Sequence, residues 1–243
     1  METSGSALVT GASRGIGAAT ALQLARGGYD VALNYRNKGP RAEQVAARIA
    51  GLGKRAVLAQ ADITDEGEVC AMLRLVEREF EHLDTLILNA SGGLEAGKAD
   101  DYAMTLNLTA QLSVAKNTAR LLRPGGRIVF VTSHWAHFYG TKAVMPAYEP
   151  VAKSKRAGED ALREYSQELA QWNISLVVVS GDAIEGTITP KLLERKSRGK
   201  YAASPTRARV LPTVDQFAEA IAAAAMDGKL PNGETIFVGS TDW

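Results

Sequence analysis

Thr10-Gly11-Ala12-Ser13-Arg14-Gly15-Ile16-Gly17 carries the clearest chemistry in the sequence. It follows the apolar run Ala7-Leu8-Val9-Thr10 and leads into a helical pattern with Ala18, Ala19, Leu22 and Leu24. In that setting Gly11 permits a tight turn, Gly15 lets backbone approach a phosphate, and Gly17 lets the helix pack close to the sheet. The free N–H groups of the helix start then face a pyrophosphate. Arg14 inside the loop and Arg36 just after the second apolar run are two guanidinium groups able to converge on one more phosphate, because Arg binds phosphate oxygens in bidentate fashion.

Composition narrows the ligand class. The chain has 243 residues, 28 Lys+Arg against 27 Asp+Glu, a net charge of +1, and 46% hydrophobic residues. This fits a single domain over residues 1–243, and without a Lys/Arg block nucleic acid is not expected as a partner. Cys70 is the only cysteine and there are three His, so no intrachain disulfide or cysteine cage can form and no metal site is expected. No run approaches about 18 apolar residues. The first five residues lack the features of a signal peptide, so a cytoplasmic protein with no membrane partner is expected.

The elements that must position the glycine loop come from hydrophobic pattern. Short apolar runs at 7–10, 31–35, 56–58, 86–88, 128–131, 176–179 and 235–238 alternate with longer amphipathic segments. Most are apolar throughout, as parallel strands covered on both faces require. The predicted fold class is α/β: a Rossmann-type, doubly wound, seven-stranded parallel sheet with helices on both faces. Val69, Met72, Leu73, Val76 and Phe80 recur at helical spacing after Asp65 and Glu68, a capping-box-like start; a second such start is Thr213 with Gln216. A long helix is predicted from about Asp100 to Leu122, stopped by Arg123-Pro124-Gly125-Gly126. The Arg-, Lys-, Ser- and Pro-rich stretch at about 185–211 reads either as a solvated loop with a short helix around Pro190–Lys196 or as a lid over a site.

The spacing Thr-Gly-x-x-x-Gly-x-Gly resembles the short-chain dehydrogenase/reductase family, and further segments match in order over essentially the whole chain. Ala61-Asp62-Ile63 resembles the adenine-contacting Asp segment, and Asn89-Ala90-Ser91-Gly92 the Asn-Asn-Ala-Gly motif with its second and third residues changed. Thr105-Leu106-Asn107-Leu108 matches the active-site Asn, and Gly126 to Ser133 ends at the active-site Ser. The resemblance implies cofactor contacts from Gly11, Ser13, Arg14, Gly15, Ile16, Gly17, Asn34, Tyr35, Arg36, Asp62, Ile63, Asn89, Ala90, Ser91, Lys155, Ile184 and Thr187. The second strand ends in Asn34-Tyr35-Arg36, without the acid that would bind a ribose and repel a 2′-phosphate, so NADP(H) is expected over NAD(H). A homodimer or homotetramer is also implied, with Ala103, Leu106, Ala110, Leu112 and Val114 serving either that contact or the core.

One position breaks the pattern. The family uses a Tyr whose phenol is activated by a Lys one helical turn later; aligning Ser154-Lys155 with the family's Ser-Lys pair makes Lys155 that Lys and puts Val151 where the Tyr belongs. Tyr148 is the nearest candidate. Within a helix it would be about 10.5 Å of rise from Lys155. However, Pro150 disfavours the α conformation at Glu149 and suits the first helical position, which puts Tyr148 just before the helix with its phenol folded back over the helix start. Ser133 and Lys155 are 22 residues apart, longer than in the family, and the extra chain holds His134, Trp135, His137, Phe138 and Tyr139.

Three readings stay open: Tyr148 as proton donor, Tyr139 or His137 in that role, or a site without reductase chemistry. In the first, the chain is an NADP(H)-dependent oxidoreductase acting on a ketone or secondary alcohol, and its resemblance to 3-oxoacyl-carrier-protein reductases points to a 3-oxoacyl thioester or related carbonyl. Ser133 then holds the oxygen, Tyr148 delivers the proton, Lys155 lowers the phenol pKa, and Asn107 holds a water. In the last it is an NADP(H)-binding sensor or interaction protein. Asp182 and Glu185 read as substrate contacts or as loop-stabilising carboxylates.

Overall fold

Successive side chains of a strand point to opposite faces, so an apolar run is stable only where both faces are covered. The computed structural model, which describes residues 5–197 and 210–242, meets that requirement. Its strands are β1 (Ser6–Val9), β2 (Asp30–Tyr35), β3 (Ala56–Gln60), β4 (Leu83–Leu88), β5 (Leu122–Ser133), β6 (Ser175–Gly181) and β7 (Thr235–Val238). All pair in parallel, in the order β3-β2-β1-β4-β5-β6-β7.

The helices are α1 (Gly15–Arg26), α2 (Gly39–Ala50), α3 (Glu66–Phe80), α4 (Tyr102–Met104), α5 (Gln111–Ala119), α6 (His134–His137), α7 (Glu149–Leu169), α8 (Ile188–Ser197) and α9 (Val214–Met226). Leu8, Leu86, Leu88, Ile128, Phe130 and Val178 pack on one side of the sheet with α3, α5 and α7. Their neighbours Ala7, Val9, Ile87, Val129, Val131 and Val177 pack on the other with α1, α2 and α9. Each such side chain contributes about 1.5–3 kcal/mol when fully buried, which is why the strands read as continuous apolar runs. Leu106, Ala110 and Val114 belong to this core within one chain, and Leu112 packs against it.

Local starts follow the sequence with two differences. Thr213 and Gln216 form a complete capping box. Asp65 accepts from the Glu68 N–H at 2.9 Å, but the Glu68 carboxylate reaches the Asp62 N–H instead of closing a box. Glu149 is already helical and Pro150 is the second, not the first, helical residue, while Tyr148 stands just before the helix as its N-cap.

The long helix predicted over 100–122 is three pieces: α4, a π-helical turn over Thr105–Ala110, and α5. Asn107 lies in the π turn. Its carbonyl is met by Gly158 of α7, where any Cβ would come closer than 3.0 Å. The stretch after β6 contains α8, matching the short helix; residues 198–209 of the predicted lid lie outside the described residues. Among the described residues no helix is long and apolar enough to cross a membrane.

Gly158→Ala tests the α7 contact by its sign. In an open helix the change stabilises by about 1 kcal/mol. Here backbone faces backbone, and we expect a net loss of about 2–3 kcal/mol in urea denaturation. An unchanged or higher midpoint would show that the π turn and α7 are not in close approach.

Candidate active site

The sheet order reverses between β1 and β4, because the chain winds outward through β2 and β3 on one side and continues to β4 on the other. The crevice at such a switch point, beyond the carboxyl ends of the strands, is where doubly wound sheets bind ligands. Polar side chains hold its walls. Thr10 Oγ1 accepts from the N–H groups of Asn89 (2.9 Å) and Ala90 (3.0 Å) and donates to the Ile87 carbonyl at 3.2 Å. Asn89 Nδ2 donates back to the Thr10 carbonyl at 2.8 Å, and Gln111 Nε2 donates to the Ala90 carbonyl.

Within the loop, Gly11 and Gly15 have φ of 66° and 55°. A Cβ on Gly17 would strike the Gly11 carbonyl, whereas one on Gly15 would meet nothing within 4 Å. Gly17 therefore serves packing, and Gly15 faces open space into which a phosphate can approach. These residues fit the dinucleotide cradle expected of them.

Some expected cofactor contacts have other work. Asn34 is buried: Oδ1 accepts from the Gly11 N–H at 3.2 Å, and Nδ2 donates to the carbonyls of Ala59 (3.2 Å) and Ala61 (3.1 Å). Its side chain thus ties the loop to β3 rather than facing a ligand. Tyr35 is buried and Ile63 is core. Asp62 accepts from Thr64 and pairs with Arg36. Burial pushes the Asp62 carboxyl up, but the Thr64 hydrogen bonds and the Arg36 guanidinium outweigh it and hold the group below its ordinary range. Arg36 Nη1 is held between Asp62 Oδ2 (3.4 Å) and the Tyr102 hydroxyl (3.1 Å). Arg14, by contrast, lines a groove with Arg41.

A cavity of about 150 Å³ opens beside the loop. Ile16, Asn89, Ser91, Ser133, Tyr148, Lys155, Ile184 and Thr187, all expected from sequence, line it, together with His134, Trp135, Asp182 and Leu193. Tyr148 does fold back over the helix start: its hydroxyl shares a 3.1 Å hydrogen bond with Ser133 Oγ. Ser133 Oγ also accepts from the Ala136 N–H at 3.3 Å, because Ser133 caps α6. The phenol is packed against Trp135, with ring centroids 5.2 Å apart, and clusters with Leu94, Val151 and Leu193. Burial raises the Tyr148 phenol pKa, partly offset by the Ser133 hydroxyl.

Lys155 lies on the same cavity wall, 7% exposed, with no side-chain hydrogen bond among the described residues. Burial pulls its ammonium pKa down from 10.5 to about 8, against the opposing pull of Glu159 one helical turn on. Glu159 is fully buried. Burial would raise its pKa, but His137 and Arg163 outweigh this and hold it ionised; His137 Nδ1 lies 2.9 Å and Arg163 Nε 2.9 Å from Oε1.

His137 is therefore tied to Glu159, and the Tyr139 hydroxyl donates to Glu149 at 3.2 Å; neither lines the cavity, which removes both as proton donors at Ser133. Asn107 has a structural role as well. Nδ2 donates to the Gly92 carbonyl (2.9 Å) and Ser154 Oγ (3.0 Å), while Oδ1 accepts from the Gly92 N–H (3.3 Å), so its amide joins the π turn, the Gly92 loop and α7. Asp182 Oδ1 accepts from the Ala183 N–H at 2.7 Å, a loop-stabilising bond, and Glu185 is exposed. Trp135 and Glu159 were missed as site residues. Trp135 follows Ser133 by two positions in the extra chain, a usable signal, whereas nothing local marks Glu159.

A protein-family model described as short chain dehydrogenase matches residues 6–197. The chain belongs to the short-chain dehydrogenase family. Among its short-chain dehydrogenase relatives, the hydroxynaphthalene reductase-like protein Arp2 of Metarhizium robertsii is 35% identical over 187 residues, covering 74% of this chain and 68% of the relative. A short-chain dehydrogenase from Burkholderia cenocepacia J2315, solved in complex with NADP, superimposes with a TM-score of 0.80 at 30% identity over 97% of this chain and 96% of the other. The angucycline C-6 ketoreductase LanV with bound NADP gives 0.81 at 27% identity over 98% and 95%.

A buried cation sets a pH-dependent stability in this short-chain dehydrogenase. Lowering the Lys155 pKa in the folded state means that the unfolded chain binds the extra proton, so stability rises with pH between about 8 and 10.5 and the full penalty applies below about 8. In the cofactor-free protein, Lys155→Met is expected to stabilise by about 3 kcal/mol below pH 8, the gain disappearing towards 10.5. Urea midpoints across that range check the slope; a pH-independent difference would mean that the ammonium is solvated.

Proposed function

We propose that the chain is an NADP(H)-dependent ketoreductase in which Tyr148, displaced from the usual helical position, is the proton donor. The observation that carries this reading is the 3.1 Å hydrogen bond between the Tyr148 hydroxyl and Ser133 Oγ, in a cavity that also holds Lys155. NADPH, when bound, supplies the hydride. Its phosphates are assigned to the loop at Gly11–Gly17, and its 2′-phosphate to Arg14.

Ser133 and Tyr148 present two hydroxyls a hydrogen-bond length apart, so a carbonyl oxygen accepting from both is oriented and polarised. As negative charge develops on that oxygen, the Tyr148 proton moves to it and leaves a phenolate. In an apolar pocket that phenolate is expensive, and the Lys155 ammonium on the same wall lowers the penalty. Glu159 supports the ammonium, while Trp135 and Leu193 keep water from the phenol. In the direction of alcohol oxidation the same groups run in reverse, with the phenolate as base.

The substrate reading is a ketone on a planar ring system. Support comes from the hydroxynaphthalene reductase-like and angucycline ketoreductase relatives, and from Trp135, which offers a ring face beside Tyr148. A 3-oxoacyl thioester is the competing ketone class. Val151, packed against Gly93 at the position of the usual Tyr, favours the second reading of an NADP(H)-binding sensor, but the Tyr148–Ser133 contact supplies what Val151 lacks.

Tyr148→Phe is expected to lower kcat at least about 100-fold, the lower end of a general acid's contribution, with NADPH affinity unchanged by fluorescence titration. Full turnover in the Phe variant removes Tyr148 from the role. Wild-type protein that binds NADPH yet reduces neither tetralone-type nor 3-oxoacyl substrates supports the sensor reading. Arg14→Ala is expected to weaken NADPH about tenfold, the loss of one charge-assisted contact, while NADH affinity stays the same; equal loss for both would place Arg14 away from the 2′-phosphate.

A further inference from the structure

A groove of about 640 Å³ runs along the outer face of α1, between α1 and α2, within the size range of small-molecule sites. It is separate from the Ser133 cavity. Arg14 and Arg26 rim it from the α1 side and Arg41 and Arg48 from α2. Among the described residues, Asp215 is the only carboxylate on its wall. Several other arginines are neutralised: Arg55, Arg78, Arg120, Arg123, Arg156 and Arg163 each pair with a carboxylate. The four groove arginines make no ion pair or side-chain hydrogen bond among the described residues.

Helix dipoles do not account for this cluster. Arg26 and Arg48 occupy the last turns of α1 and α2, where a cation is favoured. Arg14 and Arg41 stand at the opposite ends, where it is disfavoured, and neither helix has an acid in its first turn to compensate. Nor does the cofactor reading account for it. Arg14 and Arg26 are 12 residues apart, about 18 Å along a helix, so a 2′-phosphate at Arg14 leaves Arg26 and Arg48 unneutralised.

We propose that the distal end of this groove, between Arg26 and Arg48, is a second anion site that takes a phosphorylated small molecule independently of the cofactor. Two guanidinium forks from facing helices suit phosphate oxygens, and Gln23 and Gln44 add amide donors. Leu22 and Val45, core residues at the bottom of the groove, make its floor apolar.

The test is calorimetric titration of inorganic tripolyphosphate into NADPH-saturated protein at about 0.15 M salt, where weak exposed charge pairs are screened. One site is expected, with affinity weakened at least about tenfold in Arg26→Ala/Arg48→Ala and only a few-fold in Arg26→Lys/Arg48→Lys, while NADPH affinity is the same in all three proteins. Unchanged tripolyphosphate affinity in the Ala variant overturns the proposal. So does binding that occurs only in cofactor-free protein, which would make the anion a tenant of the cofactor's own phosphate site. Binding to phosphatidylglycerol vesicles without binding to tripolyphosphate overturns it in favour of a membrane surface. If NADPH itself fails to bind, the cofactor reading falls alone, and the variants compared without it still decide the distal site.

Discussion

Strand ends at the switch point of a two-sided sheet are buried, yet their N–H and C=O groups have no further strand to pair with. Leaving one such group unsatisfied costs about 1–3 kcal/mol, so the chain must supply side-chain partners there. Thr10, Asn34 and Asn89 meet that need around the glycine loop, and Asn107 meets it between the π turn, the Gly92 loop and α7. Satisfying the backbone also fixes where the loops stand. The cavity beside Ser133 exists in its present shape because these short polar side chains leave the loops little freedom to settle elsewhere.

Electrostatics inside the cavity follow from burial in the same way. Lys155 and Tyr148 are both drawn away from their charged forms by the apolar surroundings, so neither alone favours an ion pair. Glu159 changes the balance. Held ionised by His137 and Arg163, it places a fixed negative charge one helical turn from Lys155. His137 comes from the chain between Ser133 and Tyr148, so the segment that joins the two hydroxyls also supplies a partner for the carboxylate beside Lys155.

Much of this was legible from local pattern. The seven apolar runs became the seven strands because two-sided burial leaves no room for alternation, and Tyr148 precedes the helix body even though Pro150 does not keep Glu149 out of it. The π turn was not legible: Asn107 within it fits closely against Gly158, 51 positions later in the chain. Asn34 looked like a ligand contact because the segment sits where cofactor specificity is set, but its amide answers three backbone groups that only the folded sheet brings together. Arg36 looked free for the same reason, and Tyr102, 66 residues away, engages it. In each case the decisive partner is distant in sequence, so no window of neighbouring residues contains the information.

Placing the phenol at the N-cap of α7, outside the helix that carries Lys155, has a consequence for how this enzyme can change. In a helical arrangement the acid and the cation are locked in register by the backbone itself. Here the stretch from Phe138 to Ala147 sets the phenol and α7 sets the cation, so the two are inherited through separate segments. Insertions or replacements in that stretch can slide the Tyr148 hydroxyl relative to Ser133 and Lys155 without disturbing the helix core, giving the cavity an adjustable wall.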